Sequence, residues 1–525
     1  MKQVEIKRQQ IQLFSGIISI LMLFLMGKMM GNNGVAYLAA AIECCSLVFL
    51  LIGGNVTDSL GKLLRGRNAR GQYGNMSAMR RNIMLFQCIL GAAAAGILFL
   101  SAEILAENVF KLPYSALAIQ ILAPAVFLRM VSAVLLGYFQ GEGFALPAAV
   151  TAVVRQLFLL GFMLLFVNLF TGYGRKVSEL LKKQEFTAMY GGVGAAVAVN
   201  VAEGLILLFL FLIYKGSRNK EKKQEESQKT RESFPDSVRI LYGSMGSSVL
   251  IRVFERLPLF LGLLFFLKST QDGAAGCGIF YGKYLAVCML VILPVCAVLL
   301  PVCARAVQLL KKEEYRYAKN CLQSGVHFTW AGGLFFAVFF GTTAGTLGAL
   351  LCGEQAGAQG KTLEKMLLFG SVVILFAVLS FFFEKLLLFS GKKYPVLCAL
   401  GLMNAAFVLP LTLFLNLGKA GPEAIVYGLA IGTLVLTVLL GTLVFKQFHT
   451  KPDLVRTFLV PAGAAAAEGI VCILLGKFLA PHLGNLVTVL ASLVLSAVIF
   501  GGILKLTHNF KEQEIAEMYK FRKKR

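Results

Sequence analysis

A helix that crosses a bilayer takes about 20 mainly apolar residues. Runs of that kind recur fourteen times along the chain: 11–30, 35–54, 81–101, 116–139, 145–170, 191–214, 241–267, 275–304, 322–352, 363–389, 395–417, 424–446, 455–480 and 486–506. The pattern predicts an all-α polytopic membrane protein. The ninth run is longer than one pass needs and holds Gly341, Gly345 and Gly348, which predicts a kink or a strong tilt. The stretch 215–240 mixes both charge signs with few apolar residues, as a flexible linker does. It separates a six-helix bundle over 1–214 from a second over 241–446. Two additional helices follow in 447–506, and a basic tail occupies 507–525. Gly143-x-x-x-Pro147 and Gly391-x-x-x-Pro395 lie 248 residues apart, which fits two bundles related by duplication.

Composition agrees with the pattern. Of 525 residues, 57% are hydrophobic and 15% charged, with a mean hydropathy of +0.75. A water-soluble fold has too little interior for that, because roughly half of any folded surface faces solvent. The net charge of +24, from 51 Lys and Arg against 27 Asp and Glu, would suggest nucleic acid in a soluble protein. Alternating the runs from a cytoplasmic N-terminus gives a different reason. Thirty-four of the 51 basic residues then fall on the cytoplasmic side, eleven outside and six within spans. That bias is the positive-inside rule, and it sets both termini in the cytoplasm. The first run follows Lys2, Lys7 and Arg8 and is too long for a signal-peptide core, so it is expected to remain as the first span. The outer segment 171–190 departs from the rule with Arg175, Lys176, Lys182 and Lys183; an extra helix nearby would account for it.

Several chemistries are not expected. The eleven cysteines form no C-x-x-C pair, so neither a metal site nor a disulfide framework is indicated. Gly360-Lys361-Thr362 resembles the end of a phosphate loop, but Gln355 stands where that loop needs glycine. His327, His449, His482 and His508 lie at span ends or in loops, away from any buried proton relay. No segment between spans exceeds the 26 residues of 215–240, too few for a catalytic domain. The chain is therefore expected not to be an enzyme and to hold no cofactor.

Charges within the spans are more informative. An ionisable side chain at mid-bilayer costs about 2.5–3.5 kcal/mol on insertion scales, so each needs a partner, a wet cavity or a ligand. Arg129, Arg155, Glu203, Arg252, Glu255, Arg256 and Glu468 lie near the midpoints of their runs, and Lys283 lies in the outer half of its own. Glu384 and Lys385 are near a span end and can snorkel. Arg252, Glu255 and Arg256 share one helix face. Five cations against two anions (Glu203 and Glu255) give the set a charge of +3, which would concentrate an anion in an enclosed site. Arginine suits phosphate through its bidentate fork. The alternative is purely structural: Arg129 or Arg155 paired with Glu203, and Arg252 with Glu255. Glu468 stays open between a protonated packed residue, a coupling site for H+ or Na+, and the partner of a basic residue. Gly137-x-x-x-Gly141 allows close helix contact. The terminal KFRKKR is expected to rest on anionic headgroups.

Four stretches together carry a resemblance: LFSGIISILMLFLMGKMMGNNGVAYLAAA, LLGYFQGEGFALPAAVTAVVRQL, YGKYLAVCMLVILPVCAVLLPVCARAV and FFFEKLLLFSGKKYPVLCALG. They resemble the multidrug/oligosaccharidyl-lipid/polysaccharide (MOP) exporter superfamily, in its polysaccharide-biosynthesis and stage V sporulation protein B branch. The resemblance implies two six-helix bundles around a central cavity and alternating access driven by an ion gradient or membrane potential. It implies flipping of undecaprenyl-pyrophosphate-linked sugars from the inner to the outer leaflet of a bacterial plasma membrane. In the related lipid II flippases two extra helices form a groove for the lipid tail, which runs thirteen and fourteen could supply here. Those relatives also carry cavity arginines on the first two helices, where this chain has only Lys28 and Glu43.

The combined expectation is a flippase in which Arg129, Arg155, Arg252, Arg256 and Lys283 bind the pyrophosphate, with Glu203 and Glu255 orienting them. Its partners would be the lipid-linked saccharide, membrane lipids, and glycosyltransferases or polymerases of the same pathway. The chain would act as a monomer, with no nucleic acid. The alternative within the superfamily is an ion-coupled exporter of organic cations, which needs an acidic, aromatic-lined cavity. A non-transporting scaffold is the third class.

Overall fold

The computed structural model describes residues 3–144, 146–225, 232–270, 273–353, 357–416, 421–450, 453–507 and 509. Among them every regular element is helical. In chain order these are α1 (Gln3–Ile52), α2 (Val56–Ala69), α3 (Tyr73–Ile104), α4 (Ala116–Glu142), α5 (Leu146–Leu181), α6 (Glu185–Glu225), α7 (Phe234–Ser269) and α8 (Gly273–Ile279). There follow α9 (Leu285–Lys311), α10 (Tyr315–Thr342), α11 (Ala344–Cys352), α12 (Gly357–Phe389), α13 (Lys393–Asn416), α14 (Glu423–Phe448) and α15 (Val460–Leu506). The chain is thus an all-α, multi-pass membrane protein. Eleven helical segments among the described residues are long and apolar enough to cross a bilayer. Two of these, Leu13–Ala69 and Val455–Leu506, run to 57 and 52 residues. A straight helix of that length would reach about 80 Å, well over twice a ~30 Å hydrocarbon core.

Both long helices are kinked at a glycine. Gly31 in α1 has φ 69° and ψ 174°, and Gly484 in α15 has φ 78° and ψ 162°. These dihedrals are open only to a residue without Cβ. The two bends fall between the first and second apolar runs and between the thirteenth and fourteenth. The ninth run is interrupted too, with α10 ending at Thr342 and α11 starting at Ala344.

The segment 171–190 holds no additional helix. Helices α5 and α6 extend through it and meet in a tight turn with Lys182 at φ 54°. Its four cations therefore sit where two helices overrun their apolar runs. Helix α6 also continues to Glu225, into the stretch read as a linker; its lysines, glutamates and glutamines are good helix formers. Residues 226–231 of that stretch lie outside the described residues, as do His508 and the tail from 510 onward.

The chain divides into two compact units, Lys2–Gly278 and Ile279–Arg525. Helix α7, which the apolar pattern groups with the second bundle, makes its polar contacts in the first unit. Tyr242 donates to the Ile52 carbonyl at 3.0 Å, and Asn82 donates to Ser237 at 3.0 Å. The short helix α2 was not evident as an element in the apolar pattern. It buries Val56, Ser59, Leu60, Gly61 and Leu64 along one face. That face seats on the Gly137-x-x-x-Gly141 surface of α4, where a Cβ at Gly141 would stand 2.4 Å from Leu64 Cβ. Thr57 donates to the Ala133 carbonyl and Arg65 to the Gln140 carbonyl, each at 3.0 Å.

In the second unit α9, α10 and α12 pack together, and α15 covers α10 with both of its arms. Phe500 and Leu504 of one arm meet Ala331 of α10 and Ala464 and Ala465 of the other. The two turns 248 residues apart share one backbone form. Phe144 N–H bonds the Phe139 carbonyl at 2.9 Å, and Lys392 N–H bonds the Leu387 carbonyl at 2.9 Å. The glycine before each has a left-handed φ, 92° at Gly143 and 86° at Gly391.

Candidate functional site

Four of the five arginines and lysines singled out from the sequence lie in the first unit, and each finds a carboxylate. Helix α6 places Glu203 between α4 and α5. Arg129 Nε donates to Glu203 Oε1 at 2.8 Å, and Arg155 Nη2 lies 3.2 Å from Glu203 Oε2. The Glu203 side chain is fully buried, while those of Arg129 and Arg155 stay 31% and 27% exposed. One buried anion thus fixes two half-open cations, and this group keeps a charge of +1. The Arg129 Nη groups have no protein partner among the described residues.

Helix α7 presents the other two arginines a turn apart. Arg256 grips Glu43 of α1 through one edge of its guanidinium, Nε to Oε2 at 2.8 Å and Nη2 to Oε1 at 2.5 Å. Glu43 is buried, and the Arg256 side chain is 33% exposed. Arg252 donates to Asp58 Oδ2 of α2 and to the Gly54 carbonyl, both at 2.8 Å. Arg252 therefore does not take Glu255 of its own helix, and Glu255 has a partner of its own.

The expected surplus of +3 does not hold. It omitted Glu43 and Asp58, and it included Lys283, which belongs to the second unit. The four arginines pair with Glu43, Asp58 and Glu203, and once Glu255 of α7 is counted the charges of this group balance. Glu43 was legible as an acid at the centre of the second apolar run; Asp58 gave no signal, because it sits outside the apolar runs.

The remaining two candidates lie in the second unit. Lys283 sits in a π-helical turn, Phe280–Tyr284, that leads into α9. Such turns often mark functional positions. Its Nζ donates to Cys352 Sγ at 3.3 Å at the end of α11. Glu468 on α15 is fully buried, and neither of its carboxyl oxygens has a hydrogen-bond partner among the described residues. Ser492 Oγ, on the other arm of α15, is also buried without one. A nearly apolar cavity of about 400 Å³ in this unit is lined by α10, α12 and Ile473 of α15. No cluster of three or more His, Cys, Asp or Glu side chains fit for a metal occurs among the described residues.

Three comparisons bear on this arrangement. A family model described as polysaccharide biosynthesis protein matches residues 10–307, more than half of the chain. Stage V sporulation protein B of Bacillus subtilis (strain 168) is 22% identical over 218 residues, or 41% of this chain and 40% of that protein's length. The fold is similar to that of an inward-facing multidrug resistance MATE family transporter of the MOP superfamily. That structure has a TM-score of 0.65 at 13% identity, covering 85% of this chain and 98% of the other. It is also similar to lipid II flippase MurJ in an inward closed conformation, with a TM-score of 0.64 at 14% identity over 94% and 98% of the two chains. The two solved structures are a transporter and a flippase by description.

Proposed function

The chain belongs to the polysaccharide biosynthesis protein family, and from that premise we propose that it flips an anionic, pyrophosphate-linked saccharide lipid across the bacterial plasma membrane. The direction is from inner to outer leaflet, by alternating access, with both termini in the cytoplasm. The observation that carries this reading is the Arg129–Glu203–Arg155 group. A pyrophosphate cannot enter hydrocarbon unless fixed donors replace its water. Two guanidinium groups tethered by one buried carboxylate stay about a third exposed, already oriented. Arg256 and Arg252 extend the donor set along α7. Glu203, Glu43 and Asp58 hold these arginines in place when no anion is bound.

The apolar cavity beside Ile473 suits part of the lipid tail. Glu468 suits the coupling cation. A buried carboxyl without a partner is tolerable only when something neutralises it, and a proton does so with no further ligands.

The test is a reconstituted assay. In proteoliposomes bearing a fluorescent polyprenyl-pyrophosphate saccharide, wild-type protein accelerates transbilayer movement. Arg155→Ala removes one charge-assisted contact and slows it by about tenfold to a hundredfold, while purified yield is unchanged. Undiminished flipping by Arg155→Ala, or efflux of organic cations by wild-type protein, would overturn the reading.

A further inference from the structure

The first unit carries a second basic site that the transport reading does not use. Helices α3 and α6 flank α4, and between them lies a cavity of about 790 Å³. That is within the usual range for a small-molecule site, roughly 300–1,000 Å³. Its mouth is polar: Arg80, Arg81 and Ser77 stand on successive turns of α3. Its walls are apolar, with Met84, Leu85, Leu207, Leu208 and Phe211 among them. Leu85, Leu208 and Phe211 are each more than half exposed, so the cavity opens sideways, toward where lipid lies.

The arginines are placed differently from those at mid-span. Arg80 is the eighth residue of α3, about 10 Å from the helix start. Its guanidinium stacks 4.8 Å from the Tyr138 ring and 5.1 Å from that of Tyr214. It also donates to Ser77 Oγ at 3.3 Å. Tyr138 is anchored in turn by its hydroxyl bond to Glu142. Counting Glu142, the mouth keeps a charge of +1. Arg81, next in sequence, is exposed. Residues 77 to 88 cover about 17 Å of helix, close to one leaflet's half of a ~30 Å core. On the proposed topology, which this inference takes over, that leaflet is the cytoplasmic one.

We infer that this groove is a binding site for an anionic glycerophospholipid of the cytoplasmic leaflet. The phosphodiester would lie at Arg80, Arg81 and Ser77, and an acyl chain would lie along Met84, Leu207 and Phe211. Basic pockets between spans on the cytoplasmic side select anionic headgroups in this way. The site takes lipid as a resident ligand, separate from the arginines on Glu203 and Glu43.

Gly204 supplies the decisive variant. It lines the groove, and a Cβ there would meet no atom within 4 Å, so a large side chain fills the cavity without displacing protein. The experiment is native mass spectrometry of the full chain in detergent, titrated with phosphatidylglycerol, phosphatidylethanolamine, inorganic phosphate or a polyprenyl pyrophosphate. The expected result is retention of phosphatidylglycerol over phosphatidylethanolamine. Binding should be about fivefold weaker in Arg81→Ala and lost in Gly204→Phe, with the thermal midpoint of the lipid-free protein unchanged.

Equal binding of both phospholipids would overturn the inference, as would undiminished binding by Gly204→Phe. Displacement of phosphatidylglycerol by phosphate alone, or by polyprenyl pyrophosphate at equal concentration, would overturn it too. Binding is read without transport. A wild-type protein that holds phosphatidylglycerol but flips nothing would refute the proposed function alone, and one that flips but binds no phospholipid would refute this site alone.

Discussion

Glu203 in the first unit and Glu468 in the second are the same residue in the same kind of place. Each is fully buried in a helix that starts as an apolar run. Glu203 is held by two guanidinium groups, whereas Glu468 has no hydrogen-bond partner among the described residues. Burial by itself therefore does not say what a carboxyl is for. An anion inside hydrocarbon survives as an anion only when neighbours replace the water it lost. Where they do, it becomes an anchor that positions cations. Where they do not, a proton or a coupling cation must supply the missing charge, the role proposed for Glu468.

The carboxyl-to-amide exchange tests this contrast, because it removes charge and keeps shape. Glu203→Gln should be the most damaging. It strands Arg129 and Arg155 together, at a cost of about 3 kcal/mol, the low end for a broken buried pair because the guanidiniums are about a third exposed. Equilibrium unfolding in mixed detergent reads that loss; a change below a third of it would mean the pairs are ornamental. Glu43→Gln comes next, at about 2 kcal/mol, since it frees one arginine rather than two. Its sharper signature is a chemical one: Arg256, released from its carboxylate, should bind inorganic pyrophosphate more tightly by calorimetry, and an unchanged affinity would remove Arg256 from the anion site. Glu468→Gln should do least, within about 0.5 kcal/mol of wild type, as for a substitution that disturbs no partner. It should instead abolish the pH dependence of flipping. If it destabilises as much as Glu203→Gln, Glu468 is an ion and the contrast fails.

Much of the fold was legible along the chain. Apolar runs mark the helices because lipid leaves backbone amides no partner outside the helix itself. The gaps between the first and second apolar runs and between the thirteenth and fourteenth mark where two long helices bend, and the 248-residue echo marks one turn used twice. The midspan charges were equally visible, since an apolar background makes each one conspicuous. Their pairing was not. Arg252 and Glu255, three residues on, share a helix face, yet Arg252 reaches Asp58 across 194 residues of chain. Helix α2 escaped notice because it is short and mixed, and its burial exists only once Gly137 and Gly141 of α4 offer a surface flat enough to receive it.

From its residue order alone this chain is bound to the membrane, to helices, and to a set of costly charges that need an explanation. Those properties are local: hydropathy, length and depth are read one segment at a time. Which carboxylate meets which arginine, and so whether the charges add to +3 or to nothing, emerged from the packing. An ion pair forms between whichever groups the folded backbone brings within about 3 Å, and proximity of that kind is a property of the whole arrangement of helices, written in no single one of them.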